Sequence, residues 1–295
     1  LDEFKIKNQK SKSLKIPMYS WNWRTWNGRP YLTCSLLEQW PHGFFTHLFW
    51  PQSPDELVTA LQPSAEVYRV KQVHGNTVFK TGEVMPVSVV RGESVEGESA
   101  AAKEATEPQN FFEADGLATQ NSQQAVWVCS ADCTPVLIAD SHTGQVAAVH
   151  AGWRGTAGKI VPQAIARLQE EGSQLHQLRV AMGPAIAGEV YQVSEEVAAQ
   201  VGATVAPTEG VSAVLSTLHR LPNPPILEDP EPGRVRLDVR RTISLQLEQL
   251  GITAEQVAIA PYCTYQSPEY FFSYRRDNLK KVQWSGIVSI EPASK

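Results

Sequence analysis

The stretch VWVCSADCTPVLIADSHTGQVAAVHAGWRG, residues 126–155, decides the fold. Val126–Cys129, Val136–Ala139 and Gln145–Val149 are short apolar runs rich in β-branched residues and bounded by turn formers. Runs of that kind read as buried strands. Ser141-His142-Thr143-Gly144 joins the second run to the third as a hairpin. A polar elbow, Ser130-Ala131-Asp132-Cys133, separates the first run from the second. Cys133 and His150 therefore stand just outside two neighbouring strands, close in space though far apart in sequence.

Further strands are expected at Tyr31–Leu37, Val67–Val73, Thr77–Thr81, Leu178–Met182, Val257–Ala260 and Trp284–Ile290, with a strand-like bias at Val84–Val90. Helices are expected at Pro54–Leu61, Gly158–Glu171, Val193–Val201 and Leu237–Leu250. Ser53 and Ser194 are placed to cap the first and third of them, and Gly172 and Gly251 to end the second and fourth. Strands separated by helices, with hairpins among them, predict a mixed α/β, α+β-like fold with one substantial sheet and flanking helices. Residues 1–19 read as a polar N-terminal extension and 20–295 as a single domain. The acidic, small-residue stretch at 91–110 reads as a mobile insertion and the proline-rich stretch at 206–234 as a loop or lid.

Composition narrows the function. With 295 residues, 42% hydrophobic and 19% charged, the chain has ample core for a globular protein. A net charge of −5 gives no basic footprint for nucleic acid or a membrane surface. No apolar run approaches the roughly 20 residues that span a bilayer. The basic N-terminus lacks the apolar stretch of a secretory signal. Four scattered cysteines point to reduced thiols and a cytoplasmic location rather than a disulfide framework. Neither GxGxxG nor GxxxxGK[ST] occurs, which argues against dinucleotide and nucleoside-triphosphate binding. The tryptophans of residues 20–50 read as core and edge packing.

Three residues carry chemistry together. His74, in QVHGN, follows one expected strand, and Cys133 and His150 follow two others. Two imidazoles and a thiolate suit catalytic zinc, with a fourth position open to water whose pKa the metal lowers toward about 7. The same atoms allow a metal-free nucleophile, Cys133 with His150 as base and Asp132 or a backbone group orienting it. The plainest alternative is an inert core thiol with two histidines closing strand ends. Cys129 reads as a buried structural thiol and His142 as a solvated turn residue. Arg154, in HAGWRGT, offers a planar fork for phosphate or carboxylate near a helix start; an ion pair with Asp132 is the structural alternative. In Arg275-Arg276-Asp277 one arginine is expected to pair with the aspartate, leaving one for a ligand.

QVHGNTV (72–78), ADGLAT (114–119), ADCTPVLIAD (131–140), VHAGWRGT (149–156), GPAI with VYQV (183–193) and CTY with YFFSYRRD (263–277) together resemble the YfiH, or laccase-domain "polyphenol oxidase", family. The resemblance runs in order from Gln72 to Asp277. It implies a single mixed α/β domain akin to cysteine-hydrolase-like folds. It also implies zinc held by His74, Cys133 and His150, with phosphorolysis of adenosine, inosine, guanosine and 5′-methylthioadenosine, and deamination of adenosine. Purine nucleoside and phosphate would be the partners of a monomer, with Arg154 steadying the anion and Asp132 transferring a proton or orienting the site. The family's older name implies copper-dependent phenol oxidation. Seven histidines with no His-x-His pair argue against a multicopper centre. Two stretches depart from the family pattern. HGFFTHLFWPQ puts His47 where arginine is usual, and Asn278-Leu279-Lys280-Lys281-Val282 lacks the usual Gly-Arg. Those departures keep open a third reading, a nucleoside-binding protein without turnover.

Overall fold

The computed structural model describes residues 19–88 and 111–292. The three central runs form strands Gln124–Ser130, Thr134–Asp140 and Val146–Ala151, almost wholly buried. The second and third pair antiparallel, Thr134 opposite Ala151 and Pro135 opposite His150. The first belongs to a different sheet. Its order is Trp21–Trp26, Arg29–Cys34, His42–Phe45, Gln283–Val288, Gln124–Ser130, Glu66–Tyr68. The second sheet runs Val257–Ile259, Leu178–Met182, Thr134–Asp140, Val146–Ala151, Gly116–Ala118, Val78–Lys80. Both mix parallel and antiparallel pairs. A third sheet, of three strands, holds Gln192–Ser194, Arg234–Leu237 and Ile226–Glu228. The mixed α/β class stands, but the one expected sheet is two large ones and a small one.

The side-chain alternation of a strand explains the layers. Val136, Ile138 and Val149 pack toward helices Ile160–Glu170 and Val239–Leu250. Leu137, Ala139 and Ala148 face the other way, against Val126, Val128, Phe44 and Ile287 of the first sheet. On that sheet's outer face Trp127 and Phe45 lie under Phe49, Leu57 and Val58. These strands are covered on both faces, which is why their sequences are unbroken apolar runs. Each fully buried Leu, Ile or Val contributes about 1.5–3 kcal/mol.

The elbow is the crossing point between sheets. Only Ala131, Asp132 and Cys133 separate the end of one strand from the start of the next, and Asp132 takes φ 93 to make the turn. That left-handed conformation is uncommon outside glycine, and Asp is among the residues that tolerate it. Helix ends follow the local chemistry. Ser53 and Glu56 form a capping box at Pro54–Leu57, the Ser194 hydroxyl accepts from Val197 N–H at Glu195–Gly202, and Gly251 closes Val239–Leu250 at φ 92.

Several boundaries differ. Val67–Val73 keeps only Glu66–Tyr68 as strand, and Tyr31–Leu37 gives way after Cys34 to a 3₁₀ turn over Ser35–Leu37. The helix expected from Gly158 starts at Ile160, after Lys159 turns left-handed, and a separate short helix, Trp153–Ala157, precedes it. The described part of Val84–Val90 is not strand. The proline-rich 206–234 stretch is not a plain loop: it contains helix Val211–His219 and strand Ile226–Glu228. Its prolines flank those elements instead of interrupting them. The expected insertion at 91–110 and the extension before residue 19 lie outside the described residues. Among the described residues no helix is long and apolar enough to cross a membrane.

Candidate metal centre

The fold brings His74, Cys133 and His150 together: one ligand atom from each lies within 4.8 Å of the others. His150 is not beyond its strand but inside it, buried at the end of Val146–Ala151. Cys133 is half-buried at the elbow, and His74 is exposed in the loop after Glu66–Tyr68, at φ 59. The two imidazole rings stand 4.8 Å apart at 85°.

A residue of the ADGLAT motif organises this centre. Asp115 is fully buried. Its Oδ1 accepts from His150 Nδ1 at 2.8 Å and from His74 N–H at 3.0 Å. Its Oδ2 accepts from Gly75 N–H at 2.6 Å and Val73 N–H at 3.2 Å. Burial opposes ionisation, yet the bonds from His150 and from the Gly75 N–H hold the Asp115 carboxyl below the usual range. With Nδ1–H donated to a carboxylate, His150 keeps Nε2 free as a lone-pair donor, the arrangement found behind metal-bound histidines. Gln72 ties the same loop to the elbow. Its amide accepts from Cys129 N–H at 2.7 Å and donates to Cys129 C=O at 2.8 Å, as a paired strand would. Cys129 itself is half-buried rather than fully buried.

Asp132 does not pair with Arg154. Its Oδ1 accepts from the Thr264 hydroxyl and its Oδ2 from Arg275 N–H, both at 2.7 Å, while its C=O accepts from Ile186 N–H at 2.9 Å. One residue thus hangs three loops beside Cys133. Arg154 is exposed, with its guanidinium 4.3 Å over the Trp153 ring. Of the arginine pair, Arg276 is the one bound to Asp277, at 2.8 Å. The two family departures meet each other: the His47 ring lies 5.1 Å from that of Phe272, and Lys281 sits 5.9 Å over the same ring.

Burial by itself would keep the Cys133 thiol neutral. The facing His150 and His74 imidazoles overcome it and pull the thiol down, while His150 is raised by Cys133 and Asp115. A thiolate facing two imidazoles is the electrostatic setting a divalent cation fits in place of the protons, and the soft–borderline donor set matches zinc. Beside Cys133 lies a cavity of about 30 Å³ lined by Asp132, Gly152, Trp153, Ile186, Tyr191 and Val239 among others. That is room for about one water. Gly152 keeps the triad close, since a Cβ there would stand 2.9 Å from Cys133 Sγ and 3.6 Å from His74 Cδ2. Gly152→Ala should therefore weaken metal affinity on the order of tenfold, by pushing a ligand off its position, with little loss of thermal stability. Competition with a chromogenic chelator measures it, and unchanged affinity would show that the thiol has room to give.

The family described as multi-copper polyphenol oxidoreductase laccase matches residues 53–289. A purine nucleoside phosphorylase of Synechocystis sp. is 49% identical over 272 residues, which cover 91% of this chain and 97% of that protein. An adenosine deaminase, RL5, from an unknown prokaryotic organism is 30% identical over 162 residues, 55% of this chain and 56% of that protein. Among solved structures, Bacillus licheniformis YfiH superposes with a TM-score of 0.67 at 22% identity, covering 91% of this chain and 99% of that one. Geobacillus stearothermophilus YlmD gives 0.67 at 23%, covering 90% and 98%.

Proposed function

The chain belongs to the multi-copper polyphenol oxidoreductase laccase family, and within it we propose that this protein is a zinc-dependent purine nucleoside phosphorylase that also deaminates adenosine. The observation that carries the reading is the His74–Cys133–His150 cluster backed by the Asp115 carboxylate, in a chain half identical to a named phosphorylase. Adenosine, inosine, guanosine and 5′-methylthioadenosine are the proposed nucleosides. We place the protein in the cytoplasm as a monomer. A single cluster of one thiolate and two imidazoles, with few other histidines in the chain, offers no second copper cluster and so does not suit a multicopper centre.

In phosphorolysis a phosphate oxygen bonds to C1′ of the ribose and the N9–C1′ bond breaks, its electron pair leaving with the purine, which takes up a proton. Zinc, when bound, supplies a Lewis acid for the nucleophile, phosphate or water. The protein's own groups do the rest of the positioning. Asp115 fixes the ring and tautomer of His150. Asp132 holds the wall in place, its backbone carbonyl on Ile186 and its carboxylate on Thr264 and Arg275, a positioning role to which both carboxylate oxygens are committed. Arg154 steadies the incoming anion. The cavity beside Cys133 admits one small group, so the nucleoside lies outside it, over the exposed edge of His74.

Incubating the protein with inosine and inorganic phosphate should release hypoxanthine and ribose 1-phosphate only when phosphate is present. No hypoxanthine, with or without added zinc, would overturn the assignment.

A second reading has its own observation. Asp115, His150 and Cys133 also make an orienting carboxylate, a base and a nucleophile in series. A metal-free cysteine hydrolase of that design would keep its turnover in chelator and lose it to thiol alkylation. It gives His74 no task, which is why the metal reading is preferred.

A further inference from the structure

Two exposed arginines near Cys133 are set in the same manner. Arg154 lies 4.3 Å over Trp153, and Arg275 lies 5.0 Å over Tyr191. Trp153 and Tyr191 both line the small cavity beside Cys133. We infer that Arg154 and Arg275 form a two-armed clamp at the mouth of that cavity, and that the clamp holds the inorganic phosphate consumed in the reaction. The inference rests on the phosphorolysis reading and adds Arg275 to it as a binding residue.

The geometry separates the two arginines of the Arg275-Arg276-Asp277 run. The Arg276 guanidinium is consumed by the fold: it donates to the carbonyls of Thr264 at 2.6 Å, Tyr265 at 2.9 Å and Phe271 at 2.9 Å, and pairs with Asp277. Arg275 is held differently. Its backbone N–H is fixed to Asp132, next to Cys133, and its Nη1 donates to Gln192 C=O at 2.9 Å. The Nε–Nη2 edge makes no hydrogen bond within the described residues. That edge is the fork which takes two oxygens of a tetrahedral oxyanion at once. Arg154 likewise spends its guanidinium on no ion pair among the described residues.

The surrounding charges leave Arg275 available. Its outer side opens on a cavity of about 450 Å³ that it lines with Glu189, Gln192, Asp229, Arg236 and Tyr265. Asp229 is committed to Arg236 at 3.0 Å, so among the described residues Glu189 is the one carboxylate of that wall without such a partner. Arg275 stacks on Tyr191 and Arg154 on Trp153, so both cations border the wall of the same cavity. The bond from the Arg275 backbone N–H to the Asp132 carboxylate places one arm, and the short helix after Gly152 places the other, so the anion site and the metal ligand are held by adjacent residues.

The test is a calorimetric titration of inorganic phosphate into the purified protein and into Arg154→Ala, Arg275→Ala and Arg275→Lys. Each alanine variant should weaken phosphate binding about tenfold or more, the effect of a lost charge-assisted fork, and Arg275→Lys should fall between Arg275→Ala and the parent because it keeps the charge and loses the fork. Zinc content and circular dichroism should stay at parental values, since the Asp132 contact uses the backbone of residue 275. Phosphate binding in Arg275→Ala equal to the parent's, or no binding by the parent, would overturn the clamp. A parent that binds phosphate and releases no hypoxanthine from inosine leaves the clamp standing and overturns the phosphorylase reading instead.

Discussion

Cys133→Ser should leave the protein folded, strip it of zinc and abolish inosine phosphorolysis. The substitution is nearly isosteric, and Cys133 is half-buried at an elbow held by Asp132 and Gln72 rather than by the thiol. Its electrostatic effect is large. A thiol whose ionisation is favoured by two facing imidazoles gives way to a hydroxyl that stays neutral at any working pH, so the centre loses its one anionic donor. Loss of an outer partner alone costs about 10–100-fold in metal affinity, and loss of a ligand should exceed the upper end of that range. Elemental analysis after dialysis should find one zinc per chain in the parent and next to none in the variant, with the thermal unfolding of the two metal-free proteins coinciding. A parent free of zinc, yet active in chelator, would remove the metal from the mechanism and leave the cysteine-nucleophile reading, which also predicts an inactive serine variant.

The grouping of His74, Cys133 and His150 was legible in sequence because each of them sits beside a strong local signal. His74 and Cys133 lie next to turn residues, and His150 ends an apolar run ahead of Gly152. The central strands were legible because both of their faces are buried, so their apolar character needs no periodicity to be seen. The number of sheets was not. Gln124–Ser130 pairs with Gln283–Val288 and with Glu66–Tyr68, and nothing local to any of these segments says which sheet it joins. The helix Val211–His219 was hidden by its flanks: Pro207 and Pro222 stand outside it, and a stretch scored as proline-rich conceals an uninterrupted helical turn pattern between them. Asp115 was missed for a different reason. In ADGLAT it carries the signature of a tight turn, and only the folded chain shows three backbone N–H groups and an imidazole converging on its carboxylate. A buried acid among apolar neighbours was the available hint, since such a group must find donors.

That convergence makes Asp115→Asn the second large effect, on stability and metal affinity together. The four donors meet two carboxylate oxygens, His150 Nδ1 and His74 N–H on Oδ1, Gly75 and Val73 N–H on Oδ2. An amide has one accepting end. If its NH₂ takes the Oδ1 position, it opposes the His74 N–H and turns His150 toward the tautomer with its proton on Nε2, the nitrogen needed for metal. If it takes the Oδ2 position, the Val73 and Gly75 N–H groups lose their acceptor and the loop carrying His74 is released. Each buried donor left unpaired costs about 1–3 kcal/mol, so one or two of them lower stability by about 1–6 kcal/mol. Zinc affinity should fall about 10–100-fold at the same time, because the carboxylate that orients His150 is gone. Urea unfolding of the metal-free protein measures the first effect and chelator competition the second. Parental values in both would mean that the loop and the ring are held by something other than this carboxylate. A stability loss without an affinity loss would confine Asp115 to building the His74 loop and remove it from the metal's support.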